Sequence, residues 1–237
     1  MSAAPFAELA RHDTPGGTIT LWRRRDPATR DDVFEVKLGD EYLMSSRFTV
    51  GEEELAEVGL GWTSGDDLDV VVGGLGLGYT AQAVLADARV ASLVVVEAVG
   101  PVIEWHRDDL LPDVAGLAAD PRVRLVHGDF FAMAAGEGGL DPDETGRRFD
   151  AILVDIDHTP RHHLHPSHAE FYTVAGIAAL QRWLRPGGVF ALWSDDPPDD
   201  DFLALLGTVF NDVDAHVARF PNPLAGGEAT NTIFLAR

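Results

Sequence analysis

A glycine-rich segment and a later carboxylate carry the clearest chemistry in this sequence. Residues 70–80 are VVVGGLGLGYT, and a second apolar run, residues 93–96, is followed by Glu97. Glycine permits a tight turn and lets the backbone approach a ligand closely. A carboxylate such as Glu97 accepts hydrogen bonds from both hydroxyls of a ribose. A strand, a glycine turn, a helix and a strand closed by an acid predict a site for an adenosine derivative.

A second group of reactive side chains follows a later apolar strand. Residues 149–155 are FDAILVD, so Asp155 closes that strand, and Asp157 and His158 come directly after it. Histidine can act as a general base near neutral pH, and several histidines can hold a transition metal. Five of the nine histidines lie in this region: His158, His162, His163, His165 and His168. Their spacing matches no compact zinc signature, so both a metal cluster and a surface lid with one catalytic histidine, His158, stay open.

The elements that must position these groups alternate between strand and helix. The pattern predicts strands at 69–73, 93–97, 123–127, 150–155, 188–194, 213–219 and 231–236. Helices are predicted at 101–111 and 167–184. This alternation indicates an α/β fold with a seven-stranded, mostly parallel sheet and helices on both faces. Residues 220–227 are rich in Pro and Gly and contain no helix, so we expect an antiparallel last strand.

The first quarter of the chain has a different pattern. Short alternating runs at 18–22, 33–38 and 42–44 predict a small N-terminal β-meander. Residues 51–58 carry acids in their first turn and predict a linking helix. We therefore divide the chain into residues 1–61, the meander and helix, and residues 62–237, the ligand-binding domain.

Composition narrows the classes of function. A chain of 237 residues with 46% hydrophobic content can bury one large core. The absence of cysteine excludes disulfides, thiol catalysis and Cys-based zinc sites. A formal net charge of −21 disfavours nucleic acid and anionic membranes and leaves small molecules as partners. No membrane-spanning run or signal peptide is evident, so we expect a cytoplasmic protein, and an exposed meander edge makes a homodimer plausible.

The glycine turn alone leaves two ligands open. Residues 76–81, GLGYTA, also satisfy the G-x-G-x-x-A pattern of NAD-binding proteins. Three further segments distinguish the two: HGDF at 127–130, FDAILVD at 149–155 and LRPGG at 184–188. With these segments in this order, residues 69–237 resemble the Rossmann-like fold of class I S-adenosylmethionine-dependent methyltransferases.

Within that fold the chain resembles the spermidine synthase branch. The supporting features are the N-terminal meander, DPRV at 120–123, GD at 128–129 and EFY at 170–172. The resemblance implies that Glu97 holds the ribose and that Asp129 binds the adenine amine, a role compatible with capping a helix. The implied cofactor-binding residues are Gly74, Gly76, Gly78, Glu97, Asp129 and Asp155.

The chain also departs from that branch. Aminopropyltransferases have an aspartate in the glycine turn, which grips the donor amine, and here that position is Leu77. Their D-S-x-D-P loop corresponds to DIDHTP at 155–160, which keeps Asp155 but places His158 at the second aspartate. Polyamine chemistry needs carboxylates that hold ammonium groups and accept a proton. We expect Asp155, His158 and Asp157 to fill the catalytic roles.

A metal is a further possibility at the same sheet edge. Asp195 and Asp196 follow the fifth strand, next to the edge where Asp155 ends the fourth. This arrangement is similar to catechol O-methyltransferases, in which acids after these two strands hold magnesium. Carboxylate oxygens suit Mg²⁺. The sequence thus predicts a magnesium site at Asp155, Asp195 and Asp196, and the alternative is an acidic turn that starts a helix.

These features lead to one functional hypothesis with two alternatives. Because Leu77 and His158 remove two contacts of aminopropyl transfer, we expect an S-adenosylmethionine-dependent methyltransferase that acts on a small-molecule nucleophile. The first alternative is a polyamine aminopropyltransferase that uses decarboxylated S-adenosylmethionine and an amine acceptor. The second, from a different class, is a non-catalytic module for nucleoside binding or dimerisation.

Overall fold

The computed structural model describes residues 6–27, 29–222 and 226–237. Residues 1–5 of the expected first domain, and Pro223 of the expected turn-rich connection, lie outside these ranges. The described chain forms two β-sheets and six α-helices. None of these helices is long and apolar enough to cross a membrane.

The N-terminal region folds as the expected meander, with one strand more than the pattern predicts. Its antiparallel strands lie in chain order: β1 (Phe6–Thr14), β2 (Gly17–Arg25), β3 (Asp32–Leu38) and β4 (Glu41–Ser45). The sequence of β1 does not alternate regularly, because the strand lies at an edge and its register shifts between Glu8 and Ala10. The apolar side chains that face inward from β2 and β3 are Ile19, Leu21, Phe34 and Val36.

The second sheet confirms the expected fold class. Its strands are β5 (Leu68–Gly73), β6 (Val90–Glu97), β7 (Val123–His127), β8 (Phe149–Val154), β9 (Leu184–Ser194), β10 (Val213–Pro221) and β11 (Glu228–Ala236). They lie in the order β10-β11-β9-β8-β5-β6-β7. The ladders from β9 to β7 are parallel, and only β11 runs antiparallel to both of its neighbours. The predicted antiparallel last strand is therefore confirmed.

Helices cover both faces of this sheet. They are α1 (Val50–Gly61), α2 (Tyr79–Ala86), α3 (Gly100–Arg107), α4 (Phe130–Ala135), α5 (Val174–Gln181) and α6 (Asp200–Leu206). The apolar sides of α1, α2 and α3 share one core with the N-terminal sheet. Those of α4, α5 and α6 form a second, phenylalanine-rich core on the opposite face. The side chains of adjacent β5 residues divide between these cores, Val70 and Val72 in the first and Val71 in the second.

Two helix predictions are wrong in extent. The segment 167–184 forms a 3₁₀ turn, Pro166–Glu170, and then α5, because Thr173 is extended and its hydroxyl accepts a hydrogen bond from the Gly176 amide at 3.1 Å. Thr173 thereby caps a new helix. The predicted helix 101–111 ends at Arg107, and Asp109 adopts a left-handed conformation with φ of 51°.

Strand β4 brings the two sheets together at the carboxyl edge of the second sheet. A Cβ atom built on Gly76, in the turn after β5, would lie 2.7 Å from the Met44 sulfur of β4. Helix α1 follows β4 and packs across β8, β9 and β11. Ligands of open α/β sheets bind at the carboxyl ends of the strands, so β4 and the start of α1 form the cover of the expected site.

Candidate active site

Two cavities share a wall at this edge. The first cavity has a volume of about 300 Å³ and is bounded by Gly74, Gly76, Glu97, Asp129, Asp155, Leu164, His165 and His168, among others. The second cavity has a volume of about 330 Å³ and is bounded by Glu52, His158, Trp193, Asp195 and Asn231, among others. Both are also lined by Leu43 and Met44 of β4. The geometry therefore offers two adjacent compartments for small ligands.

The glycine turn forms one end of the first cavity. Gly74 has a φ of 94°, and a Cβ atom there would overlap the carbonyl oxygen of Asp155, so no other residue fits without strain. Gly74 and Gly76 line the cavity, whereas Gly78 starts α2 and faces His106. His106 is buried, and its Nε2 lies 2.9 Å from the carbonyl oxygen of Gly76. The sequence pattern does not indicate this support for the turn.

Glu97 ends β6 and turns its carboxylate toward the glycine turn. One carboxylate oxygen accepts a hydrogen bond from the Leu75 amide at 2.9 Å, and the other accepts one from the Val99 amide at 2.7 Å. Burial raises the pKa of Glu97, and these backbone hydrogen bonds oppose that rise. The Gly76 amide makes a longer contact with the same carboxylate, at 3.5 Å, so the backbone of the glycine turn holds Glu97 at the cavity wall.

Asp129 follows β7 and caps helix α4. Its Oδ1 accepts hydrogen bonds from the amides of Phe131 and Ala132 at 3.0 and 3.1 Å. The residue also lines the first cavity. Capping fixes the position of the carboxylate, so it is compatible with the predicted contact to an adenine amine.

Asp155 ends β8 at the first cavity. Its Oδ2 accepts a hydrogen bond from the Thr80 hydroxyl at 2.7 Å. Burial raises the pKa of Asp155 to about 6, and the hydrogen bond from Thr80 opposes that rise. A carboxylate with a pKa near neutrality is suited to accept a proton during a reaction.

Glu52, in the first turn of α1, belongs to the site but is not identified by the sequence pattern. Burial, and then the charge of Asp155, raise the pKa of Glu52 to about 8. The two glutamates that follow it point elsewhere. Glu53 accepts a hydrogen bond from the Thr49 hydroxyl at 2.8 Å. The Oε2 atom of Glu54 lies 2.6 Å from His216 Nε2. Three acids in a row resemble an ordinary helix start, so only the packing of α1 singles out Glu52.

The second cavity is acidic and is assembled from distant parts of the chain. Asp195, after β9, accepts a hydrogen bond from the Asn231 side-chain amide at 3.0 Å. Its charge also contributes to the raised pKa of Glu52. His158 lines this cavity, with its Nε2 3.5 Å from a Glu41 carboxylate oxygen. The structure therefore places His158 beside the second cavity and Asp155 beside the first.

Asp157, predicted to be catalytic, is buried below the loop instead. Its Oδ1 accepts hydrogen bonds from the Leu164 amide at 2.7 Å and from His168 Nδ1 at 2.8 Å. Its Oδ2 accepts a hydrogen bond from the Tyr172 hydroxyl at 3.0 Å. Asp157 borders neither the first nor the second cavity. It anchors the segment that carries the histidines.

The predicted magnesium ligands Asp155, Asp195 and Asp196 are not placed as a metal-binding group among the described residues. Asp155 is bonded to Thr80, and Asp195 to Asn231. Asp196 lies on the exposed turn before α6, as the alternative of an acidic turn predicts. The histidines also do not form a metal-binding group in the described residues. His163 is hydrogen-bonded to the Pro160 carbonyl oxygen, and His165 is hydrogen-bonded to Ser167. In the part of the chain that the structure describes, no three His, Asp or Glu side chains are placed to hold a metal ion.

Sequence similarity relates the chain to known proteins. No model of a known protein family matches. The chain is 30% identical over 167 residues to a polyamine aminopropyltransferase of Bacillus mycoides and to polyamine aminopropyltransferase 1 of Bacillus anthracis. Each alignment covers 69% of this chain and 54% of the relative. The chain thus spans about half the length of the curated relatives that it matches.

Solved structures with the same fold were also found. The spermidine synthase from Thermotoga maritima superposes with a TM-score of 0.71, at 19% identity, over 97% of this chain and 71% of that chain. A spermidine synthase in complex with the transition-state analogue AdoDATO superposes with the same TM-score at 20% identity, with the same coverage. These likenesses confirm the fold class.

The comparisons confirm the predicted family resemblance and correct the predicted reaction. Our preference for methyl transfer is wrong, because the matched relatives are aminopropyltransferases, the stated alternative. The preference gave weight to the carboxylates lost at Leu77 and His158. It took no account of Glu52, whose carboxylate reaches the same edge from α1.

Proposed function

The chain belongs to the spermidine synthase-like family, and on that premise we propose that it is a polyamine aminopropyltransferase with decarboxylated S-adenosylmethionine as donor. The observation that carries the proposal is the pair of carboxylates at the two adjacent cavities, Asp155 in the first and Glu52 in the second, where the charge of Asp155 raises the pKa of Glu52. The charge of Asp155 opposes the ionisation of Glu52, and a bound ammonium group would relieve that repulsion. Such a site favours a cationic amine and disfavours a donor that carries its own carboxylate.

The first cavity is the proposed donor site. Glu97 lines this cavity with a carboxylate for the ribose hydroxyls, and Asp129 presents an acceptor for the adenine amine. The backbone at Gly74 and Gly76 lets the nucleoside approach the sheet. These roles follow the assignments expected from the sequence.

Leu77 requires a different contact for the donor's ammonium group. Its side chain is 4% exposed and packs in the core, so it offers the cavity no charge. Asp155 lines the first cavity and Glu52 lines the second, which adjoins it. We propose that this pair replaces the aspartate that other aminopropyltransferases carry in the glycine turn.

The proposed reaction is a displacement at carbon. The neutral acceptor amine attacks the aminopropyl carbon that is bonded to the sulfonium sulfur. The new C–N bond forms while the C–S bond breaks, and its electron pair stays on sulfur, which leaves as 5′-methylthioadenosine. The amine proton passes to Asp155. The protein contributes mainly by holding the two substrates in line and by accepting that proton.

The second cavity is the proposed acceptor site. Glu52 and Asp195 supply negative charge, and His158 lies at its wall. A diamine can place one nitrogen near Asp155 while the other end remains among these acids. His158 then orients the acceptor, while Asp155 takes the proton.

The proposal is tested by product analysis. We expect purified protein, supplied with decarboxylated S-adenosylmethionine and putrescine, to form spermidine and 5′-methylthioadenosine, detected by mass spectrometry. Asp155→Asn should lower turnover by about a hundredfold or more, because the proton acceptor is lost. Asp196→Asn removes an exposed acid at the same edge and should leave turnover unchanged.

Two results would contradict the proposal. Full turnover by Asp155→Asn would remove Asp155 from the reaction. Nucleoside binding by the wild-type protein without product from any diamine would favour the non-catalytic module. The division at residues 61 and 62, a homodimer and a cytoplasmic location stay predictions, and the edge strand β1 is a surface that a second copy could pair with.

A further inference from the structure

The segment after β8 carries a histidine that the proposed reaction does not use. His168 lines the first cavity, and its side chain is 14% exposed. Its Nδ1 lies 2.8 Å from Oδ1 of Asp157, which is buried. The other two hydrogen bonds to Asp157, from Leu164 and Tyr172, hold that carboxylate in place. The Asp157 carboxylate therefore holds the His168 ring in position.

This bond determines the tautomer of His168. An ionised carboxylate only accepts hydrogen bonds, so Nδ1 carries the proton and donates it to Asp157. In the neutral ring, Nε2 then has a lone pair and is an acceptor. Across the described residues, no hydrogen bond to this Nε2 is formed, and the atom is not sealed from solvent. His168 thus presents one unused acceptor at the wall of the first cavity.

His168 and Asp129 both contact Phe131. The His168 ring packs on Phe131, with ring centroids 4.3 Å apart. The amide of Phe131 donates a hydrogen bond to Asp129 at 3.0 Å. Asp129 and His168 therefore flank the same phenylalanine and line the same cavity. Asp129 and His168 thus bring two acceptor groups to one cavity, and an exocyclic amine has two N–H donors.

We propose that His168, oriented by Asp157, is a second residue that recognises the 6-amino group of the donor's adenine, together with Asp129. The inference rests on the proposed function only in placing the base beside Asp129. A 6-oxo base presents an acceptor at the same point, so two protein acceptors would then face a carbonyl oxygen with no proton between them. Leaving such groups unpaired is how a hydrogen-bonding site rejects a near-isosteric ligand. His168 is in this account a specificity-determining residue, and Asp157 is a positioning residue.

Calorimetric titration with two nucleosides tests the proposal. The probes are 5′-methylthioadenosine and 5′-methylthioinosine, which differ in the group at C6. We expect the wild-type protein to prefer the adenine nucleoside. His168→Phe keeps a ring against Phe131 but removes the acceptor, and should reduce that preference about tenfold. His168→Gln supplies a side-chain carbonyl oxygen and should restore part of it.

A control and a second variant separate recognition from folding. His163 is in the same loop and stacks on Tyr172, with ring centroids 4.6 Å apart, outside the first cavity. His163→Phe should leave the preference unchanged. Asp157→Asn no longer fixes the tautomer of His168 by charge, and should lower the preference as well as the affinity. A merely structural role for His168 or Asp157 would change both affinities equally and leave their ratio intact.

Each outcome bears on the proposal. An unchanged ratio in His168→Phe overturns it, and so does a wild-type protein that binds neither nucleoside. The proposed function fails separately: a protein that binds 5′-methylthioadenosine with the expected preference but transfers no aminopropyl group would keep the role of His168 and lose the proposed reaction.

Discussion

The two cavities of this protein are built in different ways. The first cavity is made of groups that each follow their own strand: Gly74 after β5, Glu97 at the end of β6, Asp129 after β7 and Asp155 after β8. The second cavity takes Glu52 from α1, His158 from a loop, Asp195 from the end of β9 and Asn231 from β11. Local motifs specify the first cavity, whereas tertiary packing alone assembles the second. Recognition of the donor's nucleoside and recognition of the acceptor can therefore be altered separately.

Changing the glycine turn should produce the largest effect, and it should fall on the first cavity. Gly74→Ala combines a left-handed backbone, with φ of 94°, and an overlap with the Asp155 carbonyl. We expect a loss of about 2–4 kcal/mol in the free energy of unfolding, together with loss of nucleoside binding. Urea denaturation and calorimetry measure the two effects.

Gly187 is a control that separates the steric overlap at Gly74 from the backbone strain. Gly187 has a similar φ of 77°, but a Cβ atom there would meet nothing within 4 Å. Gly187→Ala should cost only the conformational strain, about 1–2 kcal/mol, and leave nucleoside binding intact. Equal losses of stability and of binding in the two variants would show that the turn does not depend on its close approach to Asp155.

An intermediate effect is expected from Glu52→Gln, and it should fall on the second cavity. The substitution removes the charge but keeps the shape, so we expect the KM for the diamine to rise about tenfold, as when one charged hydrogen bond is lost. The affinity for 5′-methylthioadenosine should hardly change. Steady-state kinetics and calorimetry provide the two readouts.

The next glutamate is the control for that experiment. Glu53→Gln alters an exposed acid that is bonded to Thr49, so it should leave the KM unchanged. A rise in KM with both variants would point to the general charge of α1. A weaker binding of 5′-methylthioadenosine in Glu52→Gln, with the diamine KM unaffected, would place Glu52 beside the donor's nucleoside and contradict its role in the second cavity.

A further expected effect is a pH dependence of stability. Folding raises the pKa of Glu52 from its ordinary value of 4.5 to about 8. Between these values the folded chain binds more protons than the unfolded chain, so Glu52 makes the free energy of unfolding fall as pH rises. The slope is at most about 1.4 kcal/mol per pH unit. Glu52→Gln should be more stable than wild type near pH 8, and this advantage should shrink toward pH 5.

Urea midpoints for both proteins across that pH range check the prediction, because groups other than Glu52 largely cancel between them. The charge of Asp155 is one cause of the raised pKa of Glu52, so part of the change depends on Asp155. A stability difference that stays constant with pH would mean that Glu52 is ionised in the folded protein as it is in the unfolded chain.

The sequence predicts the second sheet well because its signals are local. The apolar runs and the glycine turn set β5 to β9 to within a few residues, with the exception of the start of β9 at Leu184. Strand β1 is not predicted from the sequence, because an edge strand with one exposed face needs no apolar alternation. The break in the helix predicted at 167–184 is also not predicted, because the Thr173 cap competes with a strong helical pattern.

The site residues fall into the same two groups, those specified by local sequence signals and those specified by tertiary packing. The residues expected at the first cavity line it, apart from Gly78, because parallel strands bring their carboxyl ends together. Glu52 could be found only from the packing of α1 against β9 and β11, contacts between residues more than a hundred positions apart. Asp157 could not be separated from Asp155 by sequence, because burial beneath a loop decides its role.

The central claim is that the acids around the two cavities select a donor without a carboxylate. Calorimetric titration with decarboxylated S-adenosylmethionine and with S-adenosylmethionine tests it directly, because the two differ by that single group. We predict that the decarboxylated donor binds at least about tenfold more tightly, since Glu52 and Asp155 would repel the extra carboxylate. Equal or tighter binding of S-adenosylmethionine would contradict the account.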